Sequence, residues 1–258
     1  MSEASAPNVL VEVCVGSIAD IENAVAAGAD RVELCGALEL GGLTPSIGLL
    51  ELALQVAKVP VVVMLRPRAG RFRYDDYEFR TMLRDLERVL NAGAAGIVFG
   101  ILDEQGRVDA PRCRELIRLA GGATTVFHRA FDFIADQRAA LEALSELGIT
   151  RVLTSGGQPN TAEGAAALRG LINHSAGRIE IMPGGAIRAG NVLEIVRATG
   201  CNQVHIGAAT SLSDGSITEP ARIELVDRRF SHGTAHRGVL GEAVSEVVAA
   251  LRTSKLRD

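Results

Sequence analysis

Asn23-Ala-Val-Ala-Ala-Gly28-Ala-Asp-Arg-Val-Glu-Leu34 reads as a helix end, a glycine suited to the left-handed turn that stops a helix, a short loop and a strand. The same grammar returns in Arg88-Val-Leu-Asn-Ala-Gly93-Ala-Ala-Gly-Ile-Val-Phe99, in Glu142-Ala-Leu-Ser-Glu-Leu-Gly148-Ile-Thr-Arg-Val-Leu153 and in Glu194-Ile-Val-Arg-Ala-Thr-Gly200-Cys-Asn-Gln-Val-His-Ile206. These are αβ units. Extended along the chain, the pattern places strands at Val9–Cys14, Arg31–Cys35, Val61–Arg66, Gly96–Gly100, Thr124–His128, Arg151–Thr154, Arg178–Met182 and Gln203–Ile206.

Amphipathic helices fill the gaps. Over Asp75–Asn91 the residues Phe79, Met82, Leu83, Leu86, Val89 and Leu90 share one face, and Asp75 with Glu78 forms a capping box. A second helix is predicted from Thr44-Pro45, with a hydroxyl cap and a proline at the first helical position. Eight strands alternating with helices predict an α/β fold, a (β/α)8 TIM barrel, with an open doubly wound sheet as the alternative. No composition shift precedes residue 210, so residues 1–258 are expected to form one domain. Its barrel core would span 8–209, and a C-terminal extension 210–258 would hold a polar loop or lid over Ser211–Arg237 and a last helix. That segment covers the barrel or contacts a neighbouring subunit, and a homo-oligomer is expected.

The totals exclude several functions. A net charge of −4 and nine aromatics without tryptophan offer neither the basic field nor the stacking surface for nucleic acid. No apolar run approaches the roughly 20 residues of a membrane span, and the first residues lack a secretory pattern, so a cytoplasmic protein is expected. The four cysteines, Cys14, Cys35, Cys113 and Cys201, are widely spaced, which in a reducing compartment means free thiols.

Strand side chains alternate, so each strand's phase selects what enters the lumen. Leu10, Glu12 and Cys14 point inward from the first strand, Glu33 and Cys35 from the second, and Val62, Met64 and Arg66 from the third. Val126 and His128 do so from the fifth, Glu180 and Met182 from the seventh, and His205 from the eighth. A structural barrel fills its interior with branched apolar layers. Ionisable groups there form either a paired network or a polar pocket at the C-terminal ends of the strands.

The densest chemistry lies in Val126-Phe-His-Arg-Ala-Phe-Asp132, where an imidazole, a guanidinium and a carboxylate stand at a strand end. Glycine pairs follow on the same rim. Ser155, Gly156 and Gly157, then Gly184 and Gly185, then Gly207 would let backbone N–H groups cradle a phosphate or carboxylate, aided by Arg66, Arg68 and Arg129. Cys14 and Cys35 end neighbouring strands about 4.8 Å apart. Their sulfurs either share a soft ion or pack as two small buried hydrophobes. His232 and His236 would share a metal only if helical, and are otherwise solvated tail residues.

Taken together, Val11-Glu-Val-Cys14, Ala29-Asp-Arg-Val-Glu-Leu-Cys35, Gly41-Gly-Leu-Thr-Pro-Ser46, Arg66-Pro-Arg-Ala-Gly70, Gly100-Ile-Leu-Asp103, Phe127-His-Arg-Ala-Phe-Asp132, Leu153-Thr-Ser-Gly-Gly157 and Met182-Pro-Gly-Gly185 resemble the CutC family of copper homeostasis proteins. The resemblance runs from about Val9 to Ala209. It implies a TIM barrel and a Cu(I) cargo held at Cys14 and Cys35. Ala186, Gly207 and Glu180 depart from the family pattern, which has a third glycine, a serine and an aliphatic residue there. Two functions follow as expectations. One is a copper-binding protein that holds Cu(I) in nearly linear coordination between Cys14 and Cys35. The other is an enzyme on a small phosphorylated or carboxylated metabolite, with Glu12 or Glu33 as general base, His128 as acid or oxyanion donor, Arg66 on the anion and Asp132 orienting a neighbour.

Overall fold

The computed structural model describes residues 9–212 and 236–253. Eight parallel strands form its centre: β1 Leu10–Val15, β2 Arg31–Leu34, β3 Val61–Met64, β4 Gly96–Phe99, β5 Thr124–Phe127, β6 Arg151–Thr154, β7 Glu180–Pro183 and β8 Gln203–Ile206. Each hydrogen-bonds to its neighbour in the order β7-β6-β5-β4-β3-β2-β1-β8. The ring is closed between β7 and β8 by one parallel bridge, Gly184 to His205. The expected TIM barrel is therefore what the chain forms, with each strand within about two residues of its predicted bounds.

The helices are α1 Ile18–Ala26, α2 Ile47–Val56, α3 Asp76–Asn91, α4 Ala110–Ala120, α5 Gln137–Glu146, α6 Ala165–Ser175, α7 Val192–Thr199 and α8 Gly241–Thr253. The four glycines of the repeat have φ of 92° (Gly28), 100° (Gly93), 81° (Gly148) and 76° (Gly200), the left-handed geometry that ends each helix and turns the chain into the next strand. The capping box on α3 is present in full, with Asp75 accepting from the backbone of Tyr77 and Glu78 and the Glu78 side chain returning to the Asp75 N–H. The start of α2 differs from the sequence expectation. Ser46 is the cap, accepting from Leu49 N at 3.2 Å, because the Thr44 hydroxyl is engaged by the Arg66 N–H at 3.0 Å.

Two apolar layers follow from the alternation of the strands. Val11, Val13 and Val15 of β1, Ile97 and Phe99 of β4 and Phe127 of β5 face the helices. Cys35, Val62, Met64, Val98, Val126, Leu153 and Met182 pack inside the barrel. Among the described residues no helix is long and apolar enough to cross a membrane.

The expected last helix is present in the C-terminal segment. Helix α8 buries Val244, Val247, Val248 and Leu251 and lies against both α7 and α1, so it completes the ring of eight helices. Ahead of it, β9 Ala209–Leu212 and β10 His236–Val239 pair antiparallel outside the barrel. His236 is thus in a strand, not a helix, and His232 lies outside the described residues, as does most of the expected lid.

One carboxylate fastens this segment. Asp20, buried in α1, accepts from Val239 N at 2.6 Å and from Gly16 N at 3.0 Å. Asp20→Ala strands the buried Val239 N–H and the half-buried Gly16 N–H and is expected to cost about 2 kcal/mol. Asp20→Asn, which keeps one acceptor oxygen, should recover part of that loss in urea denaturation.

Candidate functional site

Inside the barrel the polar side chains run as a ladder along the wall formed by β6, β7, β8, β1 and β2. At the floor Arg151 donates to Glu180 Oε2 at 2.8 Å, and Gln203 Nε2 donates to the same oxygen at 3.1 Å. Arg31 Nη2 donates to Gln203 Oε1 at 3.0 Å, and Arg31 Nε donates to Glu12. Above them His205 Nδ1 sits 2.8 Å from Glu12 Oε1. Arg31, Arg151 and Gln203 were missed in the sequence, although each shares the inward phase of a residue two positions along its strand. Glu180 anchors the ladder where it meets solvent.

The ladder ends in a four-residue cluster at the mouth. Cys14 Sγ and Cys35 Sγ are 3.8 Å apart in hydrogen-bond contact. Cys35 Sγ is 3.6 Å from Glu33 Oε2, and His205 Nε2 is 3.8 Å from that same oxygen. Cys35 and Glu33 are buried, whereas Cys14 is half-buried. The strand register explains the meeting. Cys14 pairs with Glu33 across β1 and β2, Glu12 pairs with His205 across β1 and β8, and all share one phase.

Charge is distributed by environment. Hydrogen bonds from His205 and attraction to His205 and Arg31 overcome burial, the largest single influence, and hold the Glu12 carboxyl down at about 2. The Cys14 thiol is lowered to about 5, chiefly by its hydrogen bond with Cys35, against burial and with help from His205. Burial first and the adjacent Cys14 charge second push the Glu33 carboxyl well above its ordinary value. Cys35 is raised by its bond to Cys14 and by burial. Burial opposes charge on His205, yet Glu33, Cys14 and Glu12 together raise it well above the usual imidazole value. Cys14 is thus the more acidic thiol of the pair, while Glu33 and Cys35 are displaced toward their neutral forms and His205 toward its charged form.

The cluster opens into a cavity of about 330 Å³ lined by Cys14, Glu33 and His205 on one wall and by Met64, Arg66, Phe72 and His128 on the other. That second wall places the other expected site residues. The imidazole bonded to Glu12 is that of His205, while His128 lines the same cavity from the far side. Strand β5 stops at Phe127, and His128 caps the 3-10 turn Arg129–Phe133, its Nδ1 accepting from Ala130 N at 3.1 Å. The ring fits because residue 100 is glycine, since a side chain there would overlap it. Burial, then the Arg66 charge, lower His128 to about 3, so it is neutral.

Arg66 likewise serves the fold. Its Nη1 donates to the carbonyls of Leu40, Gly41 and Gly42 at 3.0, 3.3 and 3.1 Å, and its Nη2 to Gly70 at 3.0 Å. Arg68 is engaged by Glu78. Asp132 accepts from Arg129 Nε at 2.8 Å, from Ser155 N at 3.0 Å, from Gly157 N at 3.1 Å and from the Thr154 hydroxyl, while Gly156 N donates to Thr154 Oγ1 at 2.9 Å. Ser155, Gly156 and Gly157 are therefore turned toward Asp132 and Thr154, and of the six expected anion residues only Gly184, Gly185 and Gly207 line the cavity.

With this geometry in view, comparison with known proteins is specific. A CutC family profile matches residues 9–210. The chain belongs to the CutC family. CutC of Treponema denticola is 46% identical over 201 residues, 78% of this chain and 82% of that one. The human copper homeostasis protein cutC homolog is 43% identical over 206 residues, 80% of this chain and 76% of its own. The crystal structure of CutC from Streptococcus agalactiae superposes with a TM-score of 0.73 at 36% identity, covering 76% of this chain and 97% of that one. Phosphoribosylanthranilate isomerase from Thermotoga maritima, at 12% identity and a TM-score of 0.56, shares the fold alone.

Glu12 is the charge on which this CutC interior turns. Glu12→Gln leaves Arg31 and His205 charged and poorly paired, so a loss of about 3 to 5 kcal/mol at pH 7 is expected in chemical denaturation. The depressed carboxyl stabilises the fold above its unfolded value of 4.5, and that contribution disappears as pH falls toward about 2. The gap between wild type and Glu12→Gln should therefore close across that window. A constant gap would mean that Glu12 acts through packing alone.

Proposed function

We propose that this CutC protein binds Cu(I) as a cargo ion, in a reducing cytoplasmic setting, through the thiol pair Cys14 and Cys35. The observation that carries the reading is the 3.8 Å approach of the two sulfurs at the mouth of the barrel. Thiolates are the soft donors that Cu(I) selects. Cys14 is already ionised near neutral pH and faces the cavity, and Cys35 gives up its proton when the ion arrives. The names of the human and mouse relatives, copper homeostasis protein cutC homolog, support the same cargo.

The spacing favours a bent unit over the nearly linear one expected from sequence. Linear coordination with bonds about as long as zinc–sulfur bonds would need sulfurs about 4.6 Å apart. An anionic metabolite is less well served, because Arg66, Arg68 and the Ser155-Gly156-Gly157 loop already bond within the protein. Cu(I) titration against a competing chelator, anaerobically, tests the reading. Wild type should outcompete the Cys14→Ser, Cys35→Ser double variant by at least about 100-fold, with affinity falling as pH drops because Cys35 must lose its proton, and falling more steeply below about 5, where Cys14 is protonated as well. Equal affinity in the two proteins refutes it.

A further inference from the structure

We infer that the same mouth cluster is a four-donor site for a borderline divalent ion of the Zn2+ type, in which Glu33 and His205 join Cys14 and Cys35. The inference takes its two sulfurs from the copper reading and differs from it in the ion and in the other two ligands.

Spacing carries the argument. Zinc bonds are about 2.3 Å to sulfur, about 2.0 to 2.1 Å to nitrogen and about 2.0 to 2.2 Å to oxygen, in a tetrahedron. Ligand atoms around such an ion lie about 3.8 Å apart for two sulfurs, about 3.5 Å for sulfur and oxygen and about 3.4 Å for nitrogen and oxygen. The cluster has 3.8 Å between the sulfurs, 3.6 Å between Cys35 Sγ and Glu33 Oε2, and 3.8 Å between Glu33 Oε2 and His205 Nε2. Donor atoms of Cys14, Glu33 and Cys35 lie within 4.8 Å of one another, as do those of Glu12, Glu33 and His205.

The orientation of His205 is a second and separate sign. Its Nδ1 side is bonded to Glu12, and Glu12 is held in turn by Arg31, so Nε2 is the nitrogen directed at Glu33. A carboxylate behind a histidine, fixing which ring nitrogen faces the ion, is how protein zinc sites orient that ligand. The third sign is Glu33 itself. Its Oε1 is buried without a hydrogen-bond partner among the described residues, an arrangement that is costly unless another group meets the carboxylate. Zinc accepts a carboxylate oxygen, whereas that hard donor adds little for Cu(I), so a thiol carrier for copper alone would leave Glu33 unexplained. Cys14, Glu33 and His205 all line the cavity through which an ion enters.

Co2+ serves as the optical probe of the full-length wild-type protein. One equivalent should produce near-UV thiolate-to-cobalt charge transfer and intense visible bands of a tetrahedral ion, both abolished by an equivalent of Zn2+. Glu33→Gln and His205→Asn, each checked for folding by circular dichroism, should lower the ratio of Zn2+ to Cu(I) affinity at least about tenfold in chelator competition. Weak octahedral cobalt bands in the wild type overturn the inference, as does an unchanged affinity ratio in both variants. The two readings fail separately. Loss of Zn2+ but not Cu(I) in the cysteine double variant removes the copper reading and keeps this one, whereas Cu(I) binding without a tetrahedral cobalt spectrum does the reverse.

Discussion

The interior of this barrel depends on one buried carboxylate. Glu12 is almost wholly out of water, and a lone charge there would be intolerable. Arg31 below and His205 above make it tolerable, and in doing so they join two systems with different tasks. Below Glu12 the groups are joined through Gln203 to Glu180 and Arg151, with only Arg151 Nη1 left unmatched among their buried nitrogens. Above it Glu33, Cys14 and Cys35 are left with donor atoms turned toward one another and toward a cavity. The expectation of either a closed network or an open pocket thus resolves as both, stacked along the axis.

The lumen is also divided around its circumference. Strands β3, β4 and β5 contribute Val62, Met64, Val98 and Val126 and behave as an ordinary barrel core. The neighbouring wall carries the polar ladder. Holding charge against one wall lets the opposite wall supply apolar packing, which lowers the local dielectric around the mouth cluster. The large displacements of Glu33, Cys14 and His205 from their ordinary titration follow from that setting as much as from their mutual contacts.

Much of this was legible in the sequence, and the omissions have physical causes. The repeated helix-glycine-strand grammar gave the barrel because a left-handed glycine and a strand of alternating phase are local properties. The same phase found Glu12, Glu33, Cys14, Cys35 and His205. It did not reveal that His205, not His128, meets the glutamates, since that depends on the register of β1 with β8, two elements nearly 200 residues apart. The Val126–Asp132 stretch looked the most chemical, and the hydrogen bonds that its side chains make are to neighbouring turns and loops. His128 caps a turn and Asp132 binds down a loop, roles set by Ala130, Thr154 and Gly157, which no single-sequence motif ties to them. A glycine pair reads alike whether its N–H groups meet a ligand or a neighbouring carboxylate.

The seam of the barrel gives the site a mechanical side. Between β7 and β8 the sheet is joined by the bridge from Gly184 to His205, the sparsest joint in the ring. The residue whose imidazole faces Glu33 is therefore also the clasp that shuts the barrel. An ion held at the proposed mouth site would bear on this joint, because it would restrain the ring of the residue that closes the barrel. Amide exchange along β8 would then act as a gauge of occupancy, slowing when the mouth is loaded and quickening when it is empty.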